Sequence, residues 1–177
     1  MCHQLYRSRR YRCPRVIAFL CVLLWSTAQD QPSRPISPEK EVQGKHVRLL
    51  LGVTPQAALP GGRITLSIEV VLQPGLHVYA PGVTDYIPIA WTMKPSAGAA
   101  VQPVTFPPSR KLHLPAIDET VPAYEGRIHL IRAVQVGKNA KGNLTLEGSL
   151  RYQACDDRLC YIPETLPVKW VIHLESK

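Results

Sequence analysis

Apolar residues recur at every second position through much of this chain, and that period restricts it to strands. Val47, Leu49 and Leu51 follow it, and Ile64, Leu66, Ile68, Val70 and Leu72 follow it more strongly. Further on come Ile128 and Leu130 with Val134 and Val136, then Leu144, Leu146, Leu150 and Tyr152, then Leu166, Val168, Trp170, Ile172 and Leu174. Such a run buries one face of a strand and leaves the other to solvent. Shorter candidates lie at 76–80, 87–93 and 101–106. Between the runs sit Pro60-Gly61-Gly62, Pro74-Gly75, Pro81-Gly82, Pro107-Pro108 and the segment 137–142, all turn chemistry. No window shows a 3.6-residue period, and 17 prolines would break most helices. Seven or eight short strands punctuated in this way predict an all-β, immunoglobulin-like antiparallel sandwich, with a closed barrel as the alternative closure.

The first 28 residues follow a different rule. Arg7, Arg9, Arg10, Arg12 and Arg15 precede the apolar run 16–25, and Ser26-Thr27-Ala28 supplies small residues for cleavage. This is the pattern of an export signal. The run is shorter than the ~20 residues that a membrane span needs, and an uncleaved anchor is the alternative. Residues 29–44, with Pro32, Pro35 and Pro38, read as a flexible leader, and 45–177 as the folded domain. The signal also distorts the charge balance. Five of the 21 basic residues precede Ala28 while all 13 acids follow it, so the remainder carries +3 rather than +8. That small excess, without a basic cluster interleaved with aromatics, is no argument for nucleic acid.

Cys2, Cys13 and Cys21 belong to the signal, which leaves Cys155 and Cys160 in a compartment where disulfides form. Residues five apart on a helix point roughly 140° away from each other. Across a hairpin, a four-residue loop sets them directly opposite, with α-carbons ~4.5–5.5 Å apart, within disulfide range. Asp156-Asp157-Arg158 suits the turn. Strand parity places Leu144, Leu146, Leu150 and Tyr152 inward and Cys155 outward, within reach of solvent. A six-residue ring restrains the unfolded chain by only roughly 2 kcal/mol, and a domain of this length does not depend on such a staple. A structural disulfide and a redox-active one both remain open on these grounds. A zinc or copper site completed by His77, His113 or His129 is a third reading, without the second Cys or His pair that such sites use.

The residues around the pair carry more information than its spacing. Tyr152-Gln153-Ala154-Cys155, a short acidic spacer, then Cys160-Tyr161-x-Pro163-Glu164-Thr165 resembles the N-terminal periplasmic domain of the thiol:disulfide interchange protein DsbD. Pro74-Gly75-Leu76-His77-Val78-Tyr79 resembles that family's Gly-aromatic-x-x-Tyr strand, and Ala123-Tyr124-Glu125-Gly126 the segment after its cap loop. The resemblance implies an immunoglobulin-like sandwich acting as a periplasmic electron carrier. Its expected donor is a thioredoxin-like domain fed by a membrane-embedded hub of DsbD type. Its expected acceptors are a disulfide isomerase or a cytochrome c maturation thioredoxin. Exchange proceeds through a mixed disulfide and requires no prosthetic group.

Carried over by position, Cys155 and Cys160 are the redox pair, the later cysteine holding the mixed disulfide and the earlier one resolving it. Tyr79 and Tyr161 match tyrosines beside the pair. His77 stands where the enterobacterial protein has a tyrosine, and is expected to be either a proton acceptor or a satisfied surface histidine. Asp118, Glu119 and Tyr124 fall near the cap that shields the disulfide, or form a solvated acidic loop. The spacer holds four residues rather than five, and Ile162 replaces the first proline of the family's Cys-Tyr-Pro-Pro. The chain reaches Lys177 without a hub or thioredoxin-like domain, so its electrons are expected to come from a separate protein. The competing expectation is a non-enzymatic secreted sandwich that binds a ligand and keeps the disulfide as a staple. Asn143-Leu-Thr145 fits a glycosylation acceptor, a pattern common by chance. Trp91 and Trp170 are expected in the core. No phosphate loop, nucleophilic Ser/His/Asp grouping or catalytic carboxylate pair is evident.

Overall fold

A computed structural model describes residues 40–115 and 118–175, and no helix occurs among them. The signal segment 1–28 and the leader as far as residue 39 lie outside the described residues. The strands are β1 (Lys40–Gln43), β2 (Val47–Thr54), β3 (Ala57–Ala58), β4 (Arg63–Leu72), β5 (His77–Tyr79) and β6 (Ala90–Met93). They continue with β7 (Ala99–Val101), β8 (Arg110–Leu114), β9 (Glu119–Glu125), β10 (Arg127–Val136), β11 (Asn143–Tyr152), β12 (Ala154–Cys155) and β13 (Glu164–Leu174).

Two sheets form an immunoglobulin-like sandwich, one ordered β1-β2-β4-β10-β7 and the other β3-β13-β11-β6. All pairings are antiparallel except β3 with β13. The period-two residues meet between the sheets. Leu49, Leu51, Ile64, Leu66, Ile68, Val70, Ile128 and Leu130 from one sheet pack with Leu146, Leu150, Val168, Trp170 and Ile172 from the other. Burying each large aliphatic side chain contributes about 1.5–3 kcal/mol, so this core far outweighs a short-ring disulfide. The Trp170 indole N–H donates to the Gly52 carbonyl at 2.9 Å, tying the sheets together, and Trp91 lies 5.4 Å from it. Both tryptophans are buried, as their sequence context predicts.

Two boundaries differ from the sequence expectation. Lys40–Gln43, assigned to the flexible leader, is an edge strand in register with Arg48–Leu51. Its lone apolar residue, Val42, packs against the core, and one such residue leaves no period to read. Charged residues are what an edge strand tolerates. The strands β8 and β9 were not anticipated either. Each carries only two or three alternating apolar residues, and Pro122 within β9 reads as a strand breaker. Its carbonyl nonetheless accepts the Ala80 N–H at 2.9 Å.

A third sheet, ordered β12-β5-β9-β8, positions the cysteines. One of its faces sends Val78, Tyr124 and Ala154 into the main core. The other gathers Cys155, Tyr79, Leu114 and Val121 into a small separate cluster.

Candidate functional site

β11 ends at Tyr152, Gln153 leaves the ladder, and the chain enters the third sheet as β12. It then turns back on itself. The Tyr161 N–H donates to the Ala154 carbonyl at 2.8 Å, and the Asp156 N–H donates to the Leu159 carbonyl at 3.0 Å. Cys155 and Cys160 therefore face each other at the narrow position between two hydrogen-bonded pairs. They form a disulfide with α-carbons 4.0 Å apart, the hairpin link that the four-residue spacer predicts.

The motif residues that flank the cysteines brace this hairpin. The Asp156 carboxylate accepts from the backbone N–H groups of Arg158 and Leu159 at 2.8 and 2.9 Å, and from the Tyr161 hydroxyl at 3.0 Å. Those three donors hold its carboxyl below the usual aspartate value. The Gln153 amide donates to the Tyr161 carbonyl at 3.0 Å, and the His46 ring lies 4.2 Å from the Tyr161 ring. At the base, the Tyr152 hydroxyl donates to Glu164, which also accepts the Lys45 N–H at 2.9 Å. Burial and then the bond to Glu164 push the Tyr152 phenol up. Burial pushes the Glu164 carboxyl up, but the Tyr152 and Lys45 bonds outweigh it and leave it below the ordinary value.

The two sulfurs occupy different environments. Cys155 is 1 % exposed, whereas Cys160 lies at the surface. Strand parity predicted an accessible Cys155, and the structure reverses this. The break at Gln153 moves the chain into the third sheet, where the face carrying Cys155 is covered by Tyr79, Leu114 and Val121. Exposed apolar side chains lie on either side of Cys160 in the chain: Leu159 is 52 % and Ile162 85 % exposed.

β5 supplies the polar groups beside the disulfide. The Tyr79 hydroxyl lies 3.8 Å from the Cys160 sulfur. Burial, and then the Glu119 charge, raise the Tyr79 phenol, which keeps it a hydrogen-bond donor at neutral pH. Tyr86 stacks on Tyr79 with ring centres 4.2 Å apart, and its hydroxyl donates to Glu119. That bond is the main reason the Tyr86 phenol is pushed up to about 12. Tyr86 sits in a loop without periodicity, and nothing in the sequence marked it.

His77 is directly opposite Cys155 on one side and Glu125 on the other. It is 2 % exposed, and its Nε2 has no hydrogen-bond partner among the described residues. The surface-histidine expectation is thus replaced by a buried imidazole facing a cysteine. Desolvation lowers its pKa, opposed by the charges of Glu125, Asp157 and Asp156.

The remaining expected residues divide. Glu119 reaches the site through Tyr86. Asp118 is exposed, has a φ of 51° and lies 3.9 Å from the His113 ring. Tyr124 points to the opposite face of β9, into the main core, and its hydroxyl donates to the Pro107 carbonyl at 2.8 Å. Asp118 and Glu119 are both exposed, Asp118 before and Glu119 at the start of β9, which pairs antiparallel with β8. His77, His113 and His129 lie on three different strands, and no group of three metal-ligating side chains is assembled among the described residues.

The N-terminal periplasmic domain of ScsB from Proteus mirabilis superposes with a TM-score of 0.51 at 13 % identity, covering 72 % of this chain and 49 % of that one. The chain thus spans about half the length of that domain. The DsbD N-terminal domain of Neisseria meningitidis, in the reduced form, gives a TM-score of 0.39 at 14 % identity, covering 61 % of this chain and 82 % of that one. No curated protein matches the chain. The family described as "Thiol:disulfide interchange protein DsbD, N-terminal" matches residues 49–170, more than half of the sequence and including both cysteines. The chain belongs to the family of the N-terminal domain of the thiol:disulfide interchange protein DsbD.

Proposed function

We propose that this chain is an exported thiol–disulfide exchange module that carries electrons through Cys155 and Cys160 in the periplasm. The observation that carries the proposal is the asymmetry of the pair: Cys160 is an exposed residue with its sulfur next to a phenol, and it is bonded to Cys155, which is 1 % exposed. In the oxidised form a partner thiolate attacks Cys160, the Cys155–Cys160 bond breaks, and its electron pair leaves on Cys155, which takes up a proton. A second partner thiolate then attacks its own sulfur in the mixed disulfide and releases Cys160 as a thiolate. The partner is oxidised and this chain is reduced by two electrons. The reverse sequence passes them to an oxidised acceptor.

The proposed partners follow the family: a thioredoxin-like domain fed by a DsbD-type membrane hub as donor, and a disulfide isomerase or cytochrome c maturation thioredoxin as acceptor. Leu159 and Ile162 offer apolar surface around the sulfur for such a partner to cover. The Tyr86–Glu119 clasp over Tyr79 is the proposed shield of the pair. A staple role is disfavoured by magnitude, because a core of this size gains little from a ring worth roughly 2 kcal/mol.

Redox equilibration of the protein lacking residues 1–28 against glutathione, read by thiol alkylation, tests the reading. Measurable exchange in the range of redox-active pairs is expected. A potential well below about −300 mV, the range of structural disulfides, would overturn it.

A further inference from the structure

Cys155, His77 and Glu125 form a single row across three neighbouring strands. Cys155 of β12 is opposite His77 of β5, and His77 is opposite Glu125 of β9. Residues directly opposed on a sheet project from the same face with Cβ atoms ~4.5–5.5 Å apart. The row therefore sets thiol, imidazole and carboxylate side by side. Its outer member is exposed and its inner two are almost completely buried. A buried imidazole nitrogen without a partner is costly, and a redox or catalytic role is one of the explanations that such a group calls for. In the disulfide form Cys155 has no proton to offer. In the dithiol form it has one.

We propose that His77 is the acid–base partner of Cys155, accepting its proton as it resolves a mixed disulfide, with Glu125 stabilising the resulting imidazolium. The inference rests on the exchange reading above. Cys155 needs such help more than Cys160 does, because burial disfavours a lone thiolate. The charges of Glu125 on β9 and of Asp157 and Asp156 in the loop act on this point, against the desolvation that lowers the imidazole. All three oppose an isolated thiolate and all three favour an imidazolium. Moving the proton from sulfur to His77 leaves the buried site with no change in net charge. The Cys155 thiolate then attacks the Cys160 sulfur. The Cys155–Cys160 bond forms and the Cys160–partner bond breaks. The partner sulfur leaves with the electron pair and is reduced, and His77 returns its proton to that sulfur or to water. Run backwards, the same imidazolium protonates Cys155 as it is released.

Two-phase reaction of the reduced protein with the chromogenic disulfide dithiobisnitrobenzoate tests this. Attack by Cys160 releases the first thionitrobenzoate, and resolution by Cys155 releases the second. In His77→Gln the second phase is expected to slow by roughly 100-fold or more, to lose its pH inflection and to leave the first phase unchanged. Glu125→Gln, an exposed change that spares the core, is expected to move that inflection to lower pH. A His77→Gln protein with the parental second-phase rate and pH profile would overturn the proposal. If that variant does not fold, an inflection unmoved in Glu125→Gln overturns it. Failure of the parent protein to release a second equivalent would instead overturn the exchange reading itself.

Discussion

The Tyr79 hydroxyl lies 3.8 Å from the sulfur of Cys160, the exposed member of the pair. With its phenol raised by burial and then by Glu119, Tyr79 remains protonated when Cys160 is released as a thiolate. A hydrogen bond to a charged group contributes about 1.5–3 kcal/mol, and one pKa unit corresponds to about 1.4 kcal/mol. Tyr79→Phe is therefore expected to raise the Cys160 thiol by about one to two units. Alkylation of the reduced protein across a pH series measures this. An unchanged profile would show that the hydroxyl does not support the thiolate.

Exposure predicts different fates for the two single-cysteine variants. Cys155→Ser leaves the accessible sulfur free with nothing to resolve it, so a mixed disulfide with oxidised glutathione should accumulate. Cys160→Ser leaves a sulfur that is 1 % exposed and should form the adduct at least roughly tenfold more slowly. Intact-mass analysis over a time course distinguishes them. Equal rates would place the reactive surface elsewhere.

The Tyr86–Glu119 bond gives the proposed shield a pH limit. Tyr86 is raised from 10.0 to about 12 in the folded chain, mainly by that bond. The neutral phenol is the form that makes it. Its contribution is thus fully present below the unfolded value and is lost as pH rises through the folded one. Spectroscopic titration should detect one tyrosine ionising near 12, and Glu119→Gln should bring it down toward 10. Tyr86→Ala should speed attack on Cys160 several-fold at neutral pH if the clasp shields the pair; an unaltered rate would remove the shield from the mechanism.

How far the sequence could be read follows from where its signals are local. Alternation over β4 or β13 reports burial on one face directly, so the sandwich was legible. The hairpin was legible because the spacing of Cys155 and Cys160 is a property of six residues. The reach of Cys155 was not, because parity counts along one strand and the chain changes sheets at Gln153. His77 presented the same difficulty: its neighbours Cys155 and Glu125 come from distant segments, and only the register of the third sheet sets them beside it. Tyr124 matched the family motif, yet it serves the main core.

The motif around the cysteines divides into chemistry and bracing, and Tyr152 tests the division. Tyr152 is 1 % exposed, and its hydroxyl donates to Glu164 at the base of the hairpin, Tyr152 lying three residues before Cys155 and Glu164 four after Cys160. Tyr152→Phe keeps the packed ring and removes that bond together with the one the hydroxyl accepts from the His46 N–H at 3.5 Å, leaving Glu164 with the Lys45 N–H. The expected cost is about 1–3 kcal/mol, seen as a lower urea midpoint with unchanged slope. The rate of the first exchange phase should stay at the parental value, since Cys160 and Tyr79 keep their contact. A variant with parental stability but slowed exchange would reverse the assignment, making Tyr152 part of the redox site rather than its support.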